Sequence, residues 1–554
     1  MDGFQLADLF ERVAMAVPDR EAIIDPPSRI TYRQLNDRSE HVSSYLVHHG
    51  VQAGEHVGIL SLNSPEWLVG LLACFKARAA CVNINHRYES EELFQLCDSA
   101  DLVSLIIQRR FCGRLAHLVS RLHRLKTVLV IEDDTDVPLP EGLDLFSEAE
   151  DFEKPLPSRV RSSRSSDDRY VMYTGGTTGV PKGVVWRHED FFFGALRGGA
   201  FGALGPICQP DELTVRASAL RRPVRWLLPA PLHHAGGQWG SLSALLSGQT
   251  LVQWTGEHFD ADALWCLVEQ EKVHNIGIIG DAMARPMAEA LAAAGSRYDV
   301  SSLVSFGSGG AVFSAAVKED LKRLLPGVIL AESLGSTETG LDAVSLLESR
   351  DLRAGARPRF LPGDSMAVFD DELHPVKPGP GAVGRVGRRG HIPLGYYKDP
   401  AMTARVFPVI DGERWAIPGD FAMVEPDGSV HLLGRGSNCI NTGGEKVWPE
   451  EVEGVLKQHP TVFDAVVVGV PDLRWGQQVA AIVQPRAGCN VTLGELAEHC
   501  RRSLARYKVP RRLQLVDEVV RHPSGKPDYR WAATLLADDG REGPIKGQTK
   551  GDPR

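Results

Sequence analysis

No stretch of this chain is apolar for the roughly 20 residues that a helix needs to cross a bilayer. The longest candidate, Trp67 to Phe75, suits a buried helix, and peripheral contact with a membrane stays open. The N-terminus, Met1-Asp-Gly-Phe-Gln-Leu-Ala-Asp8, lacks the basic start and apolar run of a signal peptide. Nine cysteines are scattered with no Cys-x-x-Cys spacing, which speaks against a disulfide framework and fits reduced, mostly buried thiols in a cytoplasmic protein. Net positive charge is missing as well: the formal charge of −10 does not fit a general nucleic-acid binder. There is no internal repeat.

What is present is an ordinary globular composition, 43% hydrophobic and 24% charged, in 554 residues. That length is too great for one compact core and predicts two or more domains. In the first third, helical and strand patterns alternate. Residues 4–16 read as an amphipathic helix, Ala22–Asp25 as a strand, and Thr31 opens another helix. Val57–Ser61 is a strand, followed by the cap-and-proline helix start Asn63-Ser-Pro-Glu-Trp67. Leu105–Ile107 and Thr127–Ile131 are further apolar strands, so parallel α/β layers are expected. Residues 152–168, with five serines, read as a polar loop. Residues 361–437, rich in Gly and Pro, read as a compact β subdomain. A new pattern then follows: helix Glu450–Gln458, strands Ala465–Val470 and Val479–Gln484, helix Leu493–Ala505. The expected division is 1–435, a hinge at 436–437, a small domain at 438–537, and a polar, disordered tail at 538–554.

The most informative stretch is Tyr173-Thr-Gly-Gly-Thr-Thr-Gly-Val-Pro-Lys-Gly183, behind a short strand at Arg169–Met172. Glycines let a backbone turn tightly and approach an anion, hydroxyls and N–H groups ligate its oxygens, and a lysine adds full charge. These features read as a polyphosphate cradle, the plainer alternative being a Gly/Thr-rich surface turn. It is not a Walker A loop, because Pro181 precedes Lys182 and Gly183 stands where Ser or Thr would bind Mg²⁺.

With the cradle, four more motifs occur in order: Leu334-Gly-Ser-Thr-Glu338, Trp415-Ala-Ile-Pro-Gly-Asp420, Gly434-Arg435 and Ser524-Gly-Lys526. Together they resemble the adenylate-forming superfamily of acyl-CoA synthetases, luciferases and peptide-synthetase adenylation domains, over about residues 5 to 535. Gly443-Gly-Glu-Lys-Val-Trp-Pro-Glu-Glu-Val-Glu453 and the cradle look most like bacterial fatty-acyl and steroid-side-chain CoA ligases. The resemblance implies an α/β fold: a large N-terminal domain of layered α/β subdomains plus a β subdomain, and a small mobile α+β C-terminal domain. It also implies ATP, Mg²⁺ and coenzyme A, with a small-molecule hydrophobic acid as the remaining partner and no nucleic acid. A carboxylate would attack the α-phosphate of ATP, and CoA thiolate would then attack the acyl adenylate. Nothing in the sequence speaks to oligomeric state.

Carried over residue by residue, the resemblance gives each motif a role. Thr174, Gly175, Gly176, Thr177, Thr178, Gly179 and Lys182 would bind the β- and γ-phosphates. Gly307, Gly309, Gly310 and Ala311 would form the adenine-side loop, with Leu334 beneath the base. Thr337 would contact the α-phosphate and Glu338 would hold Mg²⁺. Asp420 would accept from the ribose hydroxyls, and Arg435 would reach ribose or phosphate. Lys526 would bridge the acid and the α-phosphate. Ser437 is the implied hinge residue, Gly443 and Gly444 would line the pantetheine tunnel, and Lys446 would meet phosphate or CoA. Arg501, Arg502, Arg506, Lys508, Arg511 and Arg512 read either as a solvated face or as a contact for CoA phosphates. The acyl pocket would lie near His234, Gln238, Trp239 and Gly307, with Gly236, Gly237 and Gly309 leaving volume for a bulky acid; His234 reads equally as a gate or as a structural histidine.

Four residues depart from the family pattern: Leu334 for an adenine-stacking aromatic, Arg385 for an acidic residue, Pro418 for Thr, and Ser437 for Asp or Lys. None touches Glu338, Asp420, Arg435 or Lys526. The expected function is therefore an AMP-forming acyl-CoA ligase. Two alternatives remain at this stage: transfer to a carrier-protein phosphopantetheine, or a non-catalytic nucleotide- or acyl-binding regulator.

Overall fold

The computed structural model describes residues 3–115, 118–174, 181–200, 204–295, 297–347, 358–443, 445–522 and 525–538. Two eight-stranded sheets dominate. The first runs in space Gly340–Leu347, Ile329–Ser336, Ser305–Gly309, Asn275–Ile278, Arg225–Leu228, Thr250–Gln253, Glu21–Asp25, Ser28–Thr31. The second runs Gly395–Tyr396, Lys182–Arg187, Arg169–Thr174, Ala80–Asn83, His56–Leu60, Leu102–Gln108, Thr127–Ile131, Asp144–Leu145. The first is parallel inside and antiparallel at both ends; the second is parallel except at the end formed by Arg169–Thr174, Lys182–Arg187 and Gly395–Tyr396. Apolar helices between them share one core that takes residues from each sheet, among them Ile23 and Leu251 from the first and Ile59, Tyr170 and Trp186 from the second. Parallel strands buried on both faces need such cover.

Local chemistry starts the helices. Ser64 Oγ accepts from Trp67 N at 3.2 Å and Pro65 takes the first turn of Pro65–Lys76. Thr31 and Gln34 form a reciprocal cap on Tyr32–His48. The segment 152–168 departs from its expected loop character, because Ser158–Ser162 is a short helix. Beyond it, buried Arg164 is held by Asp8 at 2.9 Å and Glu11 at 3.0 Å. Ser305–Gly309 is a strand, so Gly307 and Gly309 belong to it and not to the expected adenine-side loop, and Gly309 lies so close to Ser333 Oγ that an added Cβ would come within 2.6 Å.

Residues 366–435 supply a six-stranded β subdomain, and a smaller C-terminal domain carries a five-stranded sheet that begins at Ile440. In that sheet Val462–Asp472 and Gly476–Pro485 form a long hairpin covered by Pro449–Leu456, Leu493–Arg501 and Tyr529–Asp538. Of the tail expected to be disordered at 538–554, Asp538 ends the helix Tyr529–Asp538, and 539–554 lie outside the described residues.

Where the two domains meet, the Glu450 carboxyl rests on Gly434, and a Cβ on that glycine would collide with it. Burial, reinforced by Glu453, pushes this carboxyl up to about 8, while backbone N–H groups of Glu450 and Arg435 oppose the shift. An acid whose folded value lies above its ordinary 4.5 favours folding below that pH, and the contribution fades as pH rises to about 8. Glu450→Gln is therefore expected to gain stability relative to wild type between those limits, by at most about 1.4 kcal/mol per pH unit. Thermal midpoints of both proteins across that range check it; parallel pH profiles would refute the buried neutral acid.

Candidate active site

Two paired strands flank the cradle segment. Strands Arg169–Thr174 and Lys182–Arg187 pair antiparallel with Thr174 opposite Lys182, so both flank the loop. Gly175, Gly176, Thr177, Thr178 and Gly179 lie outside the described residues. Lys182 Nζ bonds Asp399 Oδ2 at 2.9 Å, which holds its ammonium at the loop mouth. The strand end is fixed by Asn83: its Oδ1 accepts from Tyr173 N at 2.7 Å, and its Nδ2 donates to Tyr173 O at 2.8 Å and His233 O at 2.6 Å.

Thr337 and Glu338 occupy the turn between Ile329–Ser336 and Gly340–Leu347. A side chain on Gly335 would strike Gly340 O, and one on Gly340, at φ +80°, would meet Gly194 O at 2.5 Å. The turn is thus pressed onto the helix His188–Gly194, and Trp186 Nε1 donates to Thr337 O at 3.2 Å. Glu338 is buried, and Tyr396 OH donates to its Oε1 at 2.8 Å. Burial and then Glu338 raise the Tyr396 phenol, which keeps it a donor. Below the turn, Thr339 Oγ1 donates to Asp342 at 2.7 Å. Burial pushes that carboxyl up to about 6 against Arg388.

Gly307 has room, the nearest atoms to an added Cβ being 3.8 and 3.9 Å away, and Gly310, at φ +77°, faces open space beside Ala311. Leu334 sits in the β-subdomain core with Phe360 and Val368, leaving little of its surface exposed. Asp420 and Arg435 are paired across adjacent strands, Arg435 Nε bonding Asp420 Oδ1 at 3.2 Å. Asp420 first, then Glu338, raises the Arg435 guanidinium against desolvation.

Lys526 enters this cleft from the C-terminal domain. It keeps solvent access within the cleft yet is encircled by protein. That desolvation and Arg435 hold its ammonium below the ordinary lysine value, while Asp420 and Glu338 oppose the shift. One lysine from the small domain therefore shares a field with Arg435, Asp420 and Glu338. Ser437 is exposed in the single turn Gly436–Asn438. Gly443, at φ +61°, packs under Trp475, whose ring an added Cβ would approach to 2.6 Å. Gly444 lies outside the described residues. Lys446 stands 5.8 Å over the Phe421 ring, beside Asp420.

At the other end of the cleft three imidazoles cluster: His86 meets His233 edge-to-face at 4.8 Å, and His233 lies tilted against His234 at 4.1 Å. Burial and then Lys526 push His234 down to about 3, so it is neutral at pH 7. Gln238 is fully buried, with Tyr170 OH donating to its Oε1 and its Nε2 donating to Leu232 O at 3.1 Å. Trp239 Nε1 bonds Tyr170 OH at 3.0 Å. Both side chains are thereby tied into the core. Gly237 and Gly309 are filled tightly, by Ala230 O and Ser333; Gly236 and Gly307 leave space.

Tyr396 and Asn83 escaped the sequence reading. Tyr396 lies in an aromatic pair after Gly395 that could have been noticed; Asn83 has no local signal, since its partners are 90 and 150 residues away. Among the described residues no group of three or more His, Cys, Asp or Glu could hold a metal. A cation here would have Glu338 with phosphates and water as ligands, which suits Mg²⁺.

The sequence family described as AMP-binding enzyme matches residues 10–397, and the family of the AMP-binding enzyme C-terminal domain matches 451–526. The chain is 45% identical to a medium/long-chain-fatty-acid–CoA/3-oxocholest-4-en-26-oate–CoA ligase of Mycolicibacterium smegmatis, over 97% of each chain. It is 44% identical to a 3-oxocholest-4-en-26-oate–CoA ligase of Rhodococcus rhodochrous, over 96% of this chain and 95% of that one. Its fold is similar to the crystal structure of an anthranilate CoA ligase in complex with anthranoyl-AMP, with a TM-score of 0.80 and 25% identity over 96% and 98% of the two chains.

Removing the phenol in Tyr396→Phe frees Glu338 Oε1 from its one hydrogen bond to a tyrosine. The Mg²⁺ concentration for half-maximal ATP-dependent turnover is expected to rise about 10–100-fold, as for other groups that orient a metal ligand. A magnesium titration of both proteins checks this; superimposable curves would rule out an orienting role.

Proposed function

The chain belongs to the AMP-binding enzyme family, and on that premise we propose that it is an AMP-forming acyl-CoA ligase for a large hydrophobic acid, a medium- or long-chain fatty acid or a steroid side-chain acid. The observation that carries the reading is Lys526, delivered by the C-terminal domain into the cleft that holds Glu338, Asp420 and Arg435. The choice of acid is supported by the fatty-acid and steroid-acid ligases to which the chain is similar over nearly its full length.

A carboxylate oxygen of the acid bonds the α-phosphorus of ATP, and the bond to the β-phosphate oxygen breaks, releasing pyrophosphate. CoA thiolate then bonds the acyl carbon, and AMP leaves. In the first step two anions must meet, so positive charge at the α-phosphate decides the rate. On our reading Lys526 and Arg435 supply it, while Thr174, Lys182 and the loop between them hold the outer phosphates. Asp420 takes the ribose hydroxyls, and Glu338, oriented by Tyr396, would hold Mg²⁺, which neutralises phosphate charge when bound. Neutral His234 can line the acyl end without drawing the carboxylate away from Lys526. Gly236 and Gly307 leave space there, whereas Gln238, Gly237 and Gly309 stiffen the wall. The nine cysteines, all free, fit a cytoplasmic setting.

The test is AMP release with ATP, Mg²⁺ and CoA across a panel of fatty and steroid-side-chain acids. AMP and thioester are expected in equal amounts for one class; adenylate without thioester would point to a carrier-protein acceptor. Nucleotide binding without turnover would favour a regulator. Lys526→Ala is expected to slow adenylation by roughly 10²–10³, about 2.7–4 kcal/mol, by analogy with a lost oxyanion donor. It should still convert supplied acyl adenylate to thioester, and equal loss of both half-reactions would defeat the assignment of Lys526.

A further inference from the structure

Lys526 reaches the cleft on a domain whose backbone link to the rest passes through the turn Gly436–Asn438, so contacts between the domains must set its position. The helix Gly280–Ala294 of the large domain supplies three of them from one face. Asp281, Arg285 and Glu289 are spaced four apart and so form a stripe along the helix. Lys457 Nζ lies 3.7 Å from Asp281 Oδ2, the Arg285 guanidinium stands 5.8 Å over the Phe463 ring, and Arg486 bonds Glu289. All three partners belong to the C-terminal domain.

We propose that this charged helix face is the docking rail that aims Lys526, with Asp281 and Lys457 as positioning residues for adenylate formation. The proposal rests on the ligase reading above.

The inner pair connects two parts of the site. On the large-domain side, Asp281 N donates to Val312 O at 2.8 Å and its Oδ1 accepts from Ser314 N at 2.8 Å. This ties it to the segment just beyond Gly309–Ala311. On the small-domain side, Lys457 Nζ lies 3.2 Å from Asp464 Oδ1. Arg521 grips Asp464 with two bonds of 2.8 Å, and its Nη1 donates to Gly525 O at 2.8 Å, the residue before Lys526. Burial works to raise the Asp464 carboxyl, but Lys457 and Arg521 outweigh it and hold it well below the usual range. Gly525, at φ +71°, lies against Ile279, two residues before Asp281, with 3.1 Å from an added Cβ to Ile279 O.

The geometry favours orientation over strength. Asp281 and Lys457 are 4% and 1% exposed, yet at 3.7 Å they make an ion pair and no hydrogen bond, and Asp281 Oδ2 has no hydrogen-bond partner. A buried pair of this kind adds little net stability over apolar packing, but it does fix which group faces which. Arg285 stands 3.9 Å from the same Asp281 oxygen, so the carboxylate is balanced on both sides.

The test measures adenylate formation and thioester formation from supplied acyl adenylate separately. Asp281→Asn keeps the acceptor for Ser314 N and removes the charge; Lys457→Met keeps the aliphatic stem. Each is expected to slow adenylation about 10–100-fold, the scale of a misplaced catalytic group, and to leave thioester formation within about twofold. In a Lys526→Ala background Asp281→Asn should add no further loss, because the lysine it aims is gone. An equal further loss there, unchanged adenylation, or a matching fall in both half-reactions would overturn the proposal. A wild-type protein that makes neither product on any acid defeats the ligase reading alone. Docking is then read from protease cleavage of residues 436–446, expected faster in Asp281→Asn and Lys457→Met, and equal rates would overturn the rail.

Discussion

Two anions must be brought into contact, and their repulsion governs how the whole cleft is built. At 4 Å two unit charges repel by about 1 kcal/mol in water and several times more inside a protein. On the proposed reading the cleft answers with Arg435 and Lys526 at the reacting phosphate, and Lys182 stands at the loop mouth. Asp420 beside Arg435 favours its charged form, and Asp399 bonds Lys182 at 2.9 Å. Desolvation alone would push Lys526 toward its neutral form, and Asp420 and Glu338 oppose that.

The scaffold places these charges at strand ends and turns. The phosphate hairpin closes one edge region of the second sheet, and the Glu338 turn closes an edge of the first. Trp186, in the second sheet, bonds the backbone of Thr337 in the first. Tyr396, also in the second, bonds the Glu338 carboxylate. Neither sheet alone makes the site; the core between them, with Trp186 fully buried, sets their spacing.

The sequence was most legible where chemistry is local. Ser64-Pro65 announces a helix start because the cap and the missing N–H act on adjacent backbone. The residue types of the Gly, Thr and Lys stretch pointed to a polyphosphate cradle, and the resemblance of the five ordered motifs to a known superfamily implied adenylate chemistry. Legibility failed where a residue's meaning depends on a distant partner. Glycines at 307 and 309 read as part of a loop, yet they are strand residues, and Gly309 is required by Ser333 on the neighbouring strand. Gln238 looks like a pocket residue and is instead the acceptor for Tyr170. Leu334 looks like a platform for a base, and most of its surface is taken by the β-subdomain core.

Asp281, Arg285 and Glu289 show the same limit most clearly. Their spacing is visible in the sequence and would ordinarily mean a solvated helix face. The C-terminal domain changes that meaning by laying Lys457, Phe463 and Arg486 along the stripe. An apolar stripe would bury more surface and hold the domains together irrespective of small rotations. Charges in alternating sign match their partners in one register, and a shift by one helical turn sets Arg285 against Lys457 or Arg486. Docking through such a face trades adhesion for aim, which suits the role proposed for this domain, to point the Lys526 ammonium at one phosphate.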